Sequence, residues 1–79
     1  MKDDVLMMEM GERIRKRRNE LNISQRMLAS AAGLSQSFLS EVESGKHTLS
    51  ALALRNIAIV LRISADWLLD IEPDTKTDR

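Results

Sequence analysis

Two short helical patterns joined through one glycine restrict this chain more than any other feature. Residues Ile23 to Gly45 read ISQRMLASAAGLSQSFLSEVESG. Ser24 suits the cap of a first helix, because its hydroxyl can accept from the free N–H groups of the opening turn. Leu28, Ala29 and Ala32 then recur on one face at helical spacing. Gly33 suits the left-handed residue that closes a helix, since it carries no Cβ to clash. Ser35 can cap the next helix, where Leu39 and Val42 face inward while Gln36, Ser37, Ser40, Glu41 and Ser44 face out. Gly45 stops it. Small residues at the contact let two such helices cross steeply.

The rest of the chain extends this into an all-α domain. A first helix is expected from about Met10 to Leu21, with Ile14, Arg18 and Leu21 on one side. Ser50 can cap a fourth helix, to which Leu52, Leu54, Ile57, Ala58 and Leu61 lend apolar surface. Ser64 can cap a short fifth, where Asp66 sits favourably in the positive first turn ahead of Trp67, Leu68 and Leu69. The longest loop is Gly45-Lys46-His47-Thr48-Leu49. The reading is therefore a five-helix bundle with an arm at residues 1–9, a domain at 10–71 and a polar tail at 72–79. The arm, with Met7 and Met8, either extends the first helix, packs on a partner or trails in solution.

With 79 residues the chain makes one domain, whose burial is modest for want of length. It has no cysteine, which excludes disulfides and thiolate metal sites and fits a reducing cytoplasm. No apolar run is long enough to span a bilayer. The formal net charge is zero, but it is segregated. Arg13, Arg15, Lys16, Arg17, Arg18 and Arg26 face only Glu12 and Glu20 between Gly11 and Ala32, whereas both ends are acidic. A phosphate-binding protein needs a local positive face, not a positive total.

With these residues in place, the chain resembles the Xre-type, Cro-like phage-repressor helix-turn-helix family over roughly residues 10 to 70. The resemblance rests on Arg13-Ile14 and Arg18, Ser24-Gln25, Leu28-Ala29, Gly33-Leu34-Ser35 and Leu39. It continues through Glu43-Ser44-Gly45-Lys46 and Ile63-Ser64-Ala65-Asp66-Trp67-Leu68-Leu69. It implies a lambda repressor-like bundle whose third helix lies in the DNA major groove. It places Ser35, Gln36 and Ser37 where base edges are read, with Glu41 one turn further on. Gln25, Ser40, Lys46 and His47 fall toward the DNA backbone. Arg18 and Glu43 match a partly buried ion pair between the first and third helices.

The chemistry of these side chains agrees. Glutamine offers an acceptor and a donor together, which suits adenine N6 and N7. Serine hydroxyls serve a base or a phosphate. Glu41 is unusual, since a carboxylate beside phosphates is repelled unless it accepts from cytosine N4; it either reads cytosine or rejects other sequences. Arg13 and Arg15 to Arg17 are candidates for a collective phosphate role. Phe38 can touch a thymine methyl or simply pack.

The expected function is sequence-specific transcriptional regulation, most simply repression in the cytoplasm by a homodimer on a palindromic operator in double-stranded DNA. Trp67, Leu68 and Ile71 are expected at the two-fold contact. Two alternatives use the same fold: an antitoxin-type module that binds a protein partner (a toxin or anti-repressor), and the DNA-binding half of a longer repressor. No cofactor or metal is expected. One histidine, no cysteine, no glycine-rich phosphate loop and no carboxylate pair beside a nucleophile argue against an enzyme.

Overall fold

Four serines start four of the five helices. The computed structural model describes residues 2–69, and places α1 at Lys2–Glu20, α2 at Gln25–Ala32, α3 at Gln36–Glu43, α4 at Ala51–Leu61 and α5 at Ala65–Leu69. Ser24 Oγ accepts from the Met27 N–H at 3.0 Å, Ser35 from Phe38 at 3.0 Å, Ser50 from Ala53 at 3.1 Å and Ser64 from Trp67 at 3.1 Å. Each satisfies a donor that the helix itself cannot, an effect of about 1 kcal/mol. No strand occurs among the described residues. Ile71 and the 72–79 tail lie outside them.

α2 and α4 each close through a left-handed residue. Gly33 ends α2 at φ +75°, and the Leu34 N–H turns back to the Ala29 carbonyl at 2.8 Å. Arg62 ends α4 in the same left-handed conformation, at φ +58°, with the Ile63 N–H on the Ala58 carbonyl at 3.1 Å. No glycine marks that second turn, and a side chain there is strained by about 1–2 kcal/mol.

The core gathers Met10 and Ile14 of α1, Leu28, Ala29 and Ala32 of α2, Leu39 and Val42 of α3, Ile57, Ala58 and Leu61 of α4, and Leu68 of α5. α1 packs on α3, α4 and α5, and α2 packs on both α3 and α4. The inward stripe of α4 begins at Ala53, so Leu52 points to solvent with 65% of its surface exposed. The stripe through Ile57, Ala58 and Leu61 passes through position 53, not 52, so the apolar surface that Leu52 lends to the helix lies outside the core.

α1 is longer than the periodicity implied. The arm does extend the helix, which reaches back to Lys2. Gly11 makes this possible. A Cβ there would stand 2.4 Å from the Val42 carbonyl oxygen and 2.7 Å from that of Glu43. The backbone of α1 thus lies directly on the last turn of α3. Further out, Met8 covers Gly45, whose φ is +82°; a Cβ at Gly45 would meet the Met8 Cγ at 2.7 Å. The extension therefore seats the loop that follows α3.

Candidate nucleic-acid interface

α3 is anchored at its end by a buried charge. Glu43 is the last residue of the helix and is only 4% exposed. A carboxylate there is disfavoured both by burial and by the negative end of the helix dipole. Arg18 answers both, donating Nε to Oε2 at 2.9 Å and Nη2 to Oε1 at 3.1 Å. Its third nitrogen, Nη1, donates to the Ile23 carbonyl at 3.1 Å. The Gln25 amide adds an Nε2–H bond to Glu43 Oε1 at 3.1 Å. The Arg18–Glu43 pair thus ties together α1, the turn before α2, the first residue of α2 and the end of α3. With Leu39 and Val42 packed beneath, the helix is held in a fixed orientation.

That orientation turns a polar face outward. Gln36, Ser37 and Glu41 are exposed and Ser40 is half-buried. With Gln25 they line one open groove across α2 and α3. The Ser35 oxygen accepts one bond as the cap, leaving its hydroxyl proton and a second lone pair for an outside partner. Gln25 spends one of its two amide hydrogens on Glu43, and the second remains for a further acceptor. The structure therefore brings Gln36, Ser37, Ser40, Glu41 and Gln25 to one surface, with Ser35 exposed as the cap just ahead of Gln36.

Beyond the end of α3, Lys46 and His47 are both exposed on the loop. His47 does more than border the surface. Its Nε2 lies 3.0 Å from Glu41 Oε1, and its ring stacks on Phe38 with centroids 5.7 Å apart at 29°. Phe38 in turn packs against the core.

Arg17 leaves the set of α1 basic residues expected to share a phosphate role. Arg17 is turned away to α4, where Nε donates to the Leu61 carbonyl at 2.9 Å while Nη1 meets Glu20 at 3.2 Å. Leu61 closes α4, so its carbonyl lacks a partner within the helix. Arg13 lies 4.0 Å from Glu9, and with Glu9, Glu12 and Lys16 borders a separate hollow. The α5 contact is likewise revised. Leu68 is fully buried in its own core and offers no surface to a second copy, whereas Trp67 is 41% exposed.

Three features escaped the sequence reading. A glycine within a helical pattern was the available signal for Gly11. The Gln25–Glu43 bond and the Glu41–His47 pair had none, because neither spacing belongs to a repeating element.

The Helix-turn-helix family matches residues 14–68. The HTH-type transcriptional regulator Rv0474 of Mycobacterium tuberculosis is 43% identical over 58 residues, which cover 73% of this chain. The chain spans 41% of that relative's length. The P22 c2 repressor, solved in complex with a synthetic operator, matches with a TM-score of 0.76 and 35% identity, over 80% of this chain and 96% of that one. The restriction-modification controller protein C.AhdI of Aeromonas hydrophila matches with a TM-score of 0.74 and 31% identity, over 78% and 94% of the two chains.

Proposed function

The chain belongs to the helix-turn-helix family of DNA-binding transcriptional regulators, of the Cro-like phage-repressor type, and we propose that it is a repressor that binds a palindromic operator as a homodimer. The observation that carries this reading is the exposed polar face of α3, held in place by the buried Glu43 carboxylate. A reading helix must be rigid before DNA arrives, so that ordering it does not consume binding energy.

In this reading each α3 enters a major groove, its twin about 34 Å away. Gln36 pairs its amide with adenine N6 and N7, the hydroxyls of Ser35 and Ser37 serve neighbouring edges, and Glu41 accepts from cytosine N4. Gln25, with its second amide hydrogen, joins Ser40, Lys46 and His47 on the phosphate backbone. Arg18 and Glu43 set the angle of α3 and touch no base. Trp67 faces the partner subunit, and Leu68 supports it from beneath. Blocking a promoter in this way needs no catalytic group or cofactor. The protein acts where the DNA is, in the cytoplasm; no helix among the described residues is long and apolar enough to cross a membrane.

A second reading, the DNA-binding part of a longer regulator, is favoured by the greater length of the Mycobacterium tuberculosis relative. There the added segment would supply the dimer contact.

Selection of random duplex DNA on the purified chain at two salt concentrations tests the proposal. The expected result is a palindromic consensus that disappears in a Gln36→Ala/Ser37→Ala variant, with affinity falling steeply as salt rises. A stably folded chain that enriches no consensus would overturn it.

A further inference from the structure

The regulator reading leaves Glu41 with a difficulty. A carboxylate on the groove-facing side of α3 meets a field of phosphates, and a free glutamate side chain samples many rotamers. The structure supplies an answer to both in a residue outside the helix. His47 Nε2 lies 3.0 Å from Oε1 of Glu41, although both side chains are about half exposed, at 54% and 50%. The imidazole is itself fixed. Its ring stacks on Phe38, which is packed on the core. The loop that carries it is seated by Gly45 against Met8 of α1.

We propose that His47 is a positioning residue for base recognition: by donating Nε2–H to Oε1 it holds the Glu41 carboxylate so that Oε2 is presented as the acceptor for a cytosine amino group. The inference rests on the regulator reading above and deepens it. It replaces a plain phosphate contact for His47 with a role exerted through Glu41. The chain of support runs from the core to the reading group: Phe38 braces the ring, and the ring holds one oxygen of a carboxylate that is half exposed. A carboxylate accepts at about four lone-pair sites; the bond to His47 fixes its plane at Oε1 and leaves Oε2 for a base-edge donor, of which cytosine N4–H₂ fits best. Adenine also carries an amino group in the major groove, but it is accompanied by the N7 acceptor, which repels a carboxylate. Preorganisation of this kind sharpens discrimination without adding a contact.

The test uses the full chain and the operator that the selection yields. Affinities are measured for the operator and for each of its single-base-pair variants, with the native protein, His47→Ala, His47→Gln, Glu41→Ala and the double variant His47→Ala/Glu41→Ala. Both exchanged side chains are half exposed, and thermal melts establish that each variant is folded. In the expected result, His47→Ala and Glu41→Ala flatten preference at the same base pair, by about fivefold or more, the lower range of one base contact. The double variant is no flatter than Glu41→Ala alone. His47→Gln, which keeps an N–H donor, restores part of the preference. Uniform weakening by His47→Ala across all variants would make His47 a phosphate contact and overturn the inference alone. Unchanged preference in His47→Ala does the same. Failure of the native protein to select any operator would instead remove the regulator reading, and this one with it.

Discussion

Arg18 grips Glu43 with two nitrogens, Nε on Oε2 at 2.9 Å and Nη2 on Oε1 at 3.1 Å, in a site where the carboxylate is 4% exposed. Such a pair contributes little compared with an apolar substitute, but breaking it strands a charge. Glu43→Ala is therefore expected to destabilise the fold by about 3–5 kcal/mol. The double variant Arg18→Met/Glu43→Leu, which removes both charges, should recover much of that. Urea denaturation of the three proteins checks both statements, and a Glu43→Ala curve matching the native one would refute the first.

Gly11→Ala tests the crossing of α1 on α3. On an exposed helix this exchange stabilises by about 1 kcal/mol. Here the added methyl would stand 2.4 Å from the Val42 carbonyl oxygen and 2.7 Å from that of Glu43, both backbone atoms that cannot rotate aside. The sign should reverse, with a net loss of about 1–3 kcal/mol from overpacking. A raised melting temperature would show that the two helices can separate without penalty.

Arg62→Gly should do the opposite. Arg62 holds φ +58° at the end of α4, a conformation that suits glycine. The exchange is expected to raise stability by about 1 kcal/mol, after the entropy gained by the unfolded chain is set against the relief of strain. For a domain of this size that is about 4–8 °C in melting temperature.

Arg17 and Lys46 carry the same charge but should respond differently to salt. Arg17 is occupied by the Leu61 carbonyl, so Arg17→Ala should lower stability by about 1 kcal/mol and leave the salt dependence of DNA binding unchanged. Lys46→Ala should leave the melting curve in place and reduce the slope of log K against log salt by about 1. Melting curves and binding isotherms at four salt concentrations separate the two.

Neighbouring residues of α5 should also part company. Leu68 is fully buried, and Leu68→Ala is expected to cost about 2–5 kcal/mol of stability. Trp67 is 41% exposed, and Trp67→Ala should leave the monomer folded while weakening self-association. Sedimentation equilibrium beside thermal melts reads both effects; a Trp67→Ala protein that associates as the native one does would remove α5 from the dimer contact.

The order of residues along the chain dictates the part of the fold written at short range. Ser24, Ser35, Ser50 and Ser64 each hold the N–H three residues on, and Gly33 supplies a left-handed turn, because capping and turn chemistry depend on immediate neighbours. The inward stripes of α2 and α3 were legible for the same reason, since helical spacing alone puts Leu28, Ala29, Ala32, Leu39 and Val42 on the faces that meet. From the order of these signals followed the fold and the outward face of α3. Packing of the helices against one another settled which partner each remaining side chain would find. Ala53 faced the core while Leu52 faced out, Leu68 was drawn inward, Arg17 went to α4, and Glu41 was joined to His47 across the loop. Those outcomes depend on where separate helices lie relative to one another. A long side chain such as arginine or glutamate reaches several partners equally well along the chain, and only packing settles which one stands within hydrogen-bonding distance.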